Sequence, residues 1–108
     1  MTLDEYQQAA ARTMNAGLSD AERLVDAAAG LSEEAGEVLG LVRKHVYMQH
    51  PLDRERLTRE LGDALWCLAA AASCTGLTLD AVATANIQKL ARRYPNGYSA
   101  EASRTRSD

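Results

Sequence analysis

Apolar residues recur along this chain at intervals of three and four, and nowhere in strict alternation. Leu24, Ala28, Leu31, Ala35, Val38, Leu39, Val42 and Val46 keep helical spacing through one long segment, which is the pattern of an amphipathic helix with one side turned to a core. Ser19 with Glu22 reads as a capping box that opens this helix, and the periodicity carries it to about Gln49. Gly30 and Gly36 weaken its continuity. An earlier helix starts after Thr2, with Glu5 completing a capping box, and stops near Gly17. Pro51 suits the loop or first turn of a third helix. Its stripe is Leu57, Leu61, Ala64, Leu65, Leu68, Ala71 and Ala72, and Gly76 ends it. Thr78 caps a fourth helix with Leu79, Val82, Ala83, Asn86 and Leu90 on its stripe, and Pro95 with Gly97 stops it. The fold class is therefore all-α: a four-helix bundle over residues 1–94, followed by a polar tail, 95–108, whose end from Ser103 to Asp108 is expected to be disordered.

Composition adds one constraint. The chain of 108 residues is a single domain with 46% apolar and 25% charged residues, ordinary for a globular protein. Its apolar content is rich in alanine, has no phenylalanine and has one tryptophan. Such helices approach closely but bury little area per residue, so the bundle is expected to be completed by self-association, as a homodimer or a dimer of dimers. A net charge of −3 argues against binding a nucleic acid polymer. No stretch has membrane-span length without charge, and Met1 to Gly17 lacks the apolar run of a leader. Cys67 and Cys74 fall on one predicted helix, two turns or roughly 10 Å apart, too far for a disulfide. Buried free thiols and the absence of a leader pattern point to the cytoplasm, with no membrane partner.

The candidate chemistry lies in two short segments. Glu33-Glu34-Ala35-Gly36-Glu37 is echoed by Glu60-Leu61-Gly62-Asp63. Each places two carboxylates three residues apart, with glycine just before the second, and so sets both on one helix face. On a helical wheel Glu34 lies roughly 80° and Glu37 roughly 140° from the centre of the apolar stripe, and Glu60 and Asp63 lie at about the same offsets on theirs. A single such pair is an ordinary solvated face, and Arg56 and Arg59 are spaced to pair with Glu60 or Asp63. Two pairs with matching offsets and matching glycines are a different matter. Brought together, four carboxylates repel unless a hard divalent cation sits between them. All-carboxylate ligation selects magnesium, manganese or calcium. A di-iron bundle would want Glu-x-x-His on two helices, and neither His45 nor His50 follows a glutamate by three. The paired glycines suggest a backbone that another helix or a ligand approaches closely.

At these residues the sequence resembles the MazG-like all-α nucleoside triphosphate pyrophosphohydrolases, whose hallmark is Glu-Glu-x-x-Glu followed by Glu-x-x-Asp. The stretches LSEEAGEVLGLVRK, ELGDALWCLA and NIQKLARRYPNGYS carry the likeness, from about Leu31 to Arg104. The resemblance implies Glu34, Glu37, Glu60 and Asp63 as ligands to Mg2+, with Mn2+ as a substitute. It implies hydrolysis of a nucleoside triphosphate to the monophosphate and pyrophosphate, with Glu33 orienting or deprotonating the attacking water. Asn86 and Lys89 correspond to family residues that hold the phosphates. Trp66, one turn after Asp63, is a candidate to stack on the nucleobase and equally a candidate packing residue. Arg104 is expected to reach a substrate phosphate if the tail folds back over the site of its own or a neighbouring subunit. Phosphoribosyl-ATP pyrophosphohydrolases look similar in fold and carboxylate pattern, and a noncatalytic helical oligomerisation module is the reading from outside enzymology. Base and sugar preference is not encoded in a lone Trp66.

Overall fold

Thr2 and Ser19 begin helices by the same reciprocal device. The Thr2 N–H donates to Glu5 Oε1 at 2.9 Å while Glu5 N–H donates to Thr2 Oγ1 at 3.1 Å, and Ser19 with Glu22 repeats both bonds at the same distances. Asp53, Thr78 and Ser99 cap three further helices through a side-chain oxygen. The computed structural model describes residues 1–106. Along it run α1 (Leu3–Ala11), α2 (Asp20–Tyr47), α3 (Arg54–Cys74), α4 (Leu79–Arg93) and α5 (Ala100–Thr105). The described residues hold no β-strand; Pro95 and Gly97 form one isolated bridge.

Two expectations need correction and a third is narrowed. α1 ends at Ala11, well before Gly17. Beyond it Thr13 turns its hydroxyl onto the Ala10 carbonyl at 2.7 Å and Asn15 Oδ1 accepts the Gly17 N–H at 2.9 Å, local bonds that compete with helix continuation. The tail is not disordered from Ser103: Ser103 to Thr105 belong to α5, whose Ser99 cap accepts the Ala102 N–H at 3.0 Å. Ser107 and Asp108, the rest of that expectation, lie outside the described residues. The paired glycines are not approached by another helix of this chain, which leaves a ligand or a second copy as the expected neighbour. A Cβ at Gly36 or Gly62 would meet no other described residue within 4 Å beyond its own helix turn, whereas one at Gly30 would stand 2.9 Å from Cys67 Sγ. Gly30 is the close approach of α2 to α3.

The α2–α3 hairpin dominates the packing, with α1 laid along α3 and α4 against both α1 and α3. The α2–α3 turn contains Gln49 in the left-handed region, at φ 59. It is tied by His50 N–H to the Lys44 carbonyl at 3.1 Å and by His45 Nδ1–H to the His50 carbonyl at 2.8 Å. Ala10, Ala69, Ala72 and Leu79 form a small core, with Tyr6 and Trp66 packed against it. Gln7 is buried beside it and fully used: Nε2 donates to Ser73 Oγ at 3.1 Å and to the Leu77 carbonyl at 2.9 Å, and Oε1 accepts the Leu79 N–H at 2.7 Å. That side chain pins α1 to the α3–α4 turn.

Much apolar surface stays uncovered. Val25, Ala28, Ser32, Ala35, Leu39, Val42 and Val46 alternate in steps of three and four along α2, and all are exposed, Leu39 by 65% and Val46 by 59%. Leu61, Leu65 and Leu68 form a second exposed line on α3. The radius of gyration is 16.8 Å, against about 13 Å for a compact chain of this length. Among the described residues no single helix is long and apolar enough to cross a membrane.

Candidate metal centre

The covered line of α2 runs through Ala27, Leu31, Glu34, Val38 and Leu41, and that of α3 through Leu57, Glu60, Ala64 and Cys67. Glu34 and Glu60 therefore occupy positions where a helix pair ordinarily places apolar residues. This corrects the wheel reading. The periodic stripe of α2 spans two faces, one packed on α3 and the other the exposed line through Leu39 and Val42. Averaging them displaced the apparent centre away from Glu34.

The hairpin brings Glu34, Glu60 and Asp63 together, each offering an oxygen, with the three oxygens within 4.8 Å of one another. Glu34 Oε2 is shut off from solvent and has no hydrogen-bond partner among the described residues. An orphaned carboxylate oxygen facing two more carboxylates lacks its counter-charge. The hydrogen bond to Glu60 that only a protonated Glu34 can make, then burial, then the charges of Glu60, Asp63 and Glu33, push the Glu34 carboxyl up to about 7. Burial and then the charges of Glu34 and Asp63 push the neighbouring Cys67 thiol upward, which blunts it as a nucleophile. Tyr6 of α1 is raised by burial and next by the Asp63 charge, so its phenol borders the same cluster.

The donor set fits a hard cation: oxygen only, anionic, and drawn from two rigid helices. Glu37 is not in the three-carboxylate set. Its Oε2 is 3.8 Å from Arg56 Nη2, and the same guanidinium places Nε 3.9 Å from Glu60 Oε1. Arg59, spaced to reach Asp63, pairs instead with Glu55 at 3.5 Å. Glu33 is exposed on the turn beside Glu34.

The remaining candidates lie outside the three-carboxylate set. Trp66 packs on the alanine core, and its indole N–H donates to Thr13 Oγ1 at 2.7 Å, tying α3 to the end of α1. Asn86 is exposed and Lys89 half-buried on α4, which packs on α1 and α3. Arg104 is exposed on α5, which has no substantial packing on any other helix. Tyr94 and Tyr98 pack against each other with their rings tilted by 50° and ring centres 5.6 Å apart. Sequence reasoning paired Arg56 with Glu60 within α3 but missed that it also reaches Glu37 across the hairpin.

The family model of the MazG nucleotide pyrophosphohydrolase domain matches residues 25–98. The chain belongs to the MazG family. The match spans nearly all of α2, then α3, α4 and the turn after it, so both carboxylate pairs fall inside it, while α1 and α5 lie outside. No curated protein and no solved structure matches the chain. MazG membership assigns the chain to nucleotide pyrophosphohydrolases, a hydrolase family that is generally metal-dependent, and Glu34, Glu60 and Asp63 are the acidic cluster able to hold the metal.

Proposed function

We propose that this chain hydrolyses a nucleoside triphosphate to the monophosphate and pyrophosphate, using Mg2+, or Mn2+ in its place, held by Glu34, Glu60 and Asp63. The observation that carries the reading is the solvent-shielded, unpartnered Glu34 oxygen facing two further carboxylates across the α2–α3 hairpin. Glu37 is one helical turn from Glu34 and completes the ligand set when its contact with Arg56 opens. A cation bound there would offset phosphate charge and lower the pKa of a bound water. Glu33, exposed beside Glu34, takes the proton from that water. Nucleophilic catalysis by the chain itself is disfavoured, because Cys67 is buried and its thiol raised.

Lys89 and Asn86 supply donors to the phosphate chain, from α4 of the same chain or of a second copy, and Arg104 of α5 reaches a phosphate on a neighbouring subunit. Trp66 contributes an aromatic wall to the base while its N–H stays on Thr13. Self-association, as a homodimer or a dimer of dimers, rests on the uncovered α2 and α3 lines and the extended radius. The protein acts in the cytoplasm, where triphosphates and reduced thiols coexist. Phosphorus NMR on a panel of canonical, deoxy and modified triphosphates, with phosphoribosyl-ATP included, tests the reading. Pyrophosphate appearing with the monophosphate, and ceasing on chelation, supports it. Orthophosphate release, or turnover unaffected by chelation, contradicts it.

A further inference from the structure

Beside the carboxylate cluster, at the turn joining α2 and α3, lies a cleft of about 240 Å3 lined by Leu41, Lys44, His50, Pro51, Asp53 and Arg56. Three of its six lining residues carry nitrogen donors able to bind an anion. One oxygen of its single carboxylate is engaged, since Asp53 Oδ1 caps α3 by accepting the Arg56 backbone N–H at 3.0 Å. The turn that forms the cleft is fixed, not loose: His50 is held through its own N–H and carbonyl, to Lys44 and to the His45 ring. The cleft is continuous with the metal centre through one side chain. Arg56 lines it and also spans Glu37 and Glu60, at 3.8 and 3.9 Å. Both contacts are long for charge-assisted bonds, which prefer about 2.7–2.9 Å. Arg56 is therefore loosely held by two carboxylates, one of which stands in the acidic cluster.

We propose that Lys44, His50 and Arg56 form a pocket for a diphosphate group, and that Arg56 turns into it when a cation takes its place beside Glu37 and Glu60. The guanidinium is the counter-charge of the two carboxylates. A divalent cation supplies that charge more strongly and frees Arg56, whose planar fork suits phosphate oxygens. The pocket then receives the two phosphates that leave together, or the same group in the intact substrate. The identity of the anion rests on the nucleotide reading above; the pocket and the exchange do not.

Inorganic pyrophosphate titrated calorimetrically into the full chain, with and without Mg2+, tests this. Mg2+ alone is titrated in parallel, with Arg56→Gln, Lys44→Gln and, as a charge-matched control on α3, Arg59→Gln. Arg56→Gln and Lys44→Gln are each expected to weaken pyrophosphate by about tenfold, and Arg59→Gln by less than about twofold. Arg56→Gln is expected to bind Mg2+ more tightly than wild type, because the competing cation is gone. An Arg56 of purely structural value would weaken both ligands. Equal pyrophosphate affinity in all four proteins, or no pyrophosphate binding to wild type under either condition, overturns the pocket. Unchanged or weaker Mg2+ binding by Arg56→Gln overturns the exchange. Wild type that binds pyrophosphate but neither binds Mg2+ nor hydrolyses triphosphate would keep the pocket and sink the enzymatic reading.

Discussion

Replacing Gly30 by alanine sets a methyl carbon 2.9 Å from Cys67 Sγ, between α2 and α3 and one turn before Glu34. An exposed helix-interior glycine gains about 0.5–1 kcal/mol when replaced by alanine. Crowding a well-packed contact costs about 1–3 kcal/mol. Relief by moving the sulfur is poor, because Sγ is bonded directly to Cβ, Cys67 is buried, and one staggered χ1 position is disfavoured in a helix. The net expectation is a loss of about 1 kcal/mol for Gly30→Ala. A Cβ at Gly36 or Gly62 would meet no described residue outside its own helix turn within 4 Å, so alanine there is expected to stabilise the isolated chain by about 0.5–1 kcal/mol. Urea unfolding of the three variants and of Gly30→Ala with Cys67→Ala reads the difference. In the double variant the sulfur is gone and the Gly30→Ala penalty should shrink by about 1 kcal/mol. Gly30→Ala as stabilising as Gly36→Ala, or no coupling to Cys67, would refute the close approach. If Gly36→Ala or Gly62→Ala stabilises the fold yet loses activity, those glycines serve a ligand or a second copy.

Glu34, raised from 4.5 to about 7, binds its proton more tightly in the fold than in the unfolded chain. Its stabilising contribution is thus complete below about pH 4.5 and lost as pH rises through 7; metal-free unfolding midpoints should fall over that window, Mg2+ affinity should rise, and Glu34→Gln should flatten both curves. Gln7→Leu strips three hydrogen bonds from a buried site, including the Leu79 N–H, and should cost about 2–4 kcal/mol in denaturant unfolding; a loss under about 0.5 kcal/mol would show that Gln7 is not the pin between α1 and the α3–α4 turn. Leu39→Lys, at a position 65% exposed, should leave helix content intact while light scattering falls to the monomer mass; wild type that is itself monomeric at micromolar concentration would contradict self-association.

The helix starts were legible because a cap is a local device. Thr2 with Glu5, and Ser19 with Glu22, form their bonds within one turn, and no tertiary contact is needed to see them. The carboxylate pairs were legible for a related reason: spacing alone fixes which residues share a face. What the spacing could not fix was which face is buried. On α2, Leu31 and Val38 pack on α3 while Leu39 and Val42 remain open, and both sets obey the same period. Arg56 shows a second limit. Its pairing with Glu60 is a local matter, but its approach to Glu37 depends on how the hairpin closes. Gln7 and Trp66 bond partners far along the chain, at Leu79 and Thr13, and no pattern announces either contact. α5 is shorter than two turns, too brief for periodicity to distinguish from a polar tail.

The proposed hydrolysis requires that Glu34, Glu60 and Asp63 hold one divalent cation between them. Mn2+ is a spectroscopic stand-in for Mg2+, and its free concentration is read directly by electron paramagnetic resonance as it is titrated into the chain. Wild type should bind Mn2+ saturably and release it to Mg2+, and Glu34→Gln, Glu60→Gln and Asp63→Asn should each weaken it by at least about tenfold while remaining helical. Two of the three variants binding Mn2+ as tightly as wild type would contradict the assignment of this cluster as the metal centre.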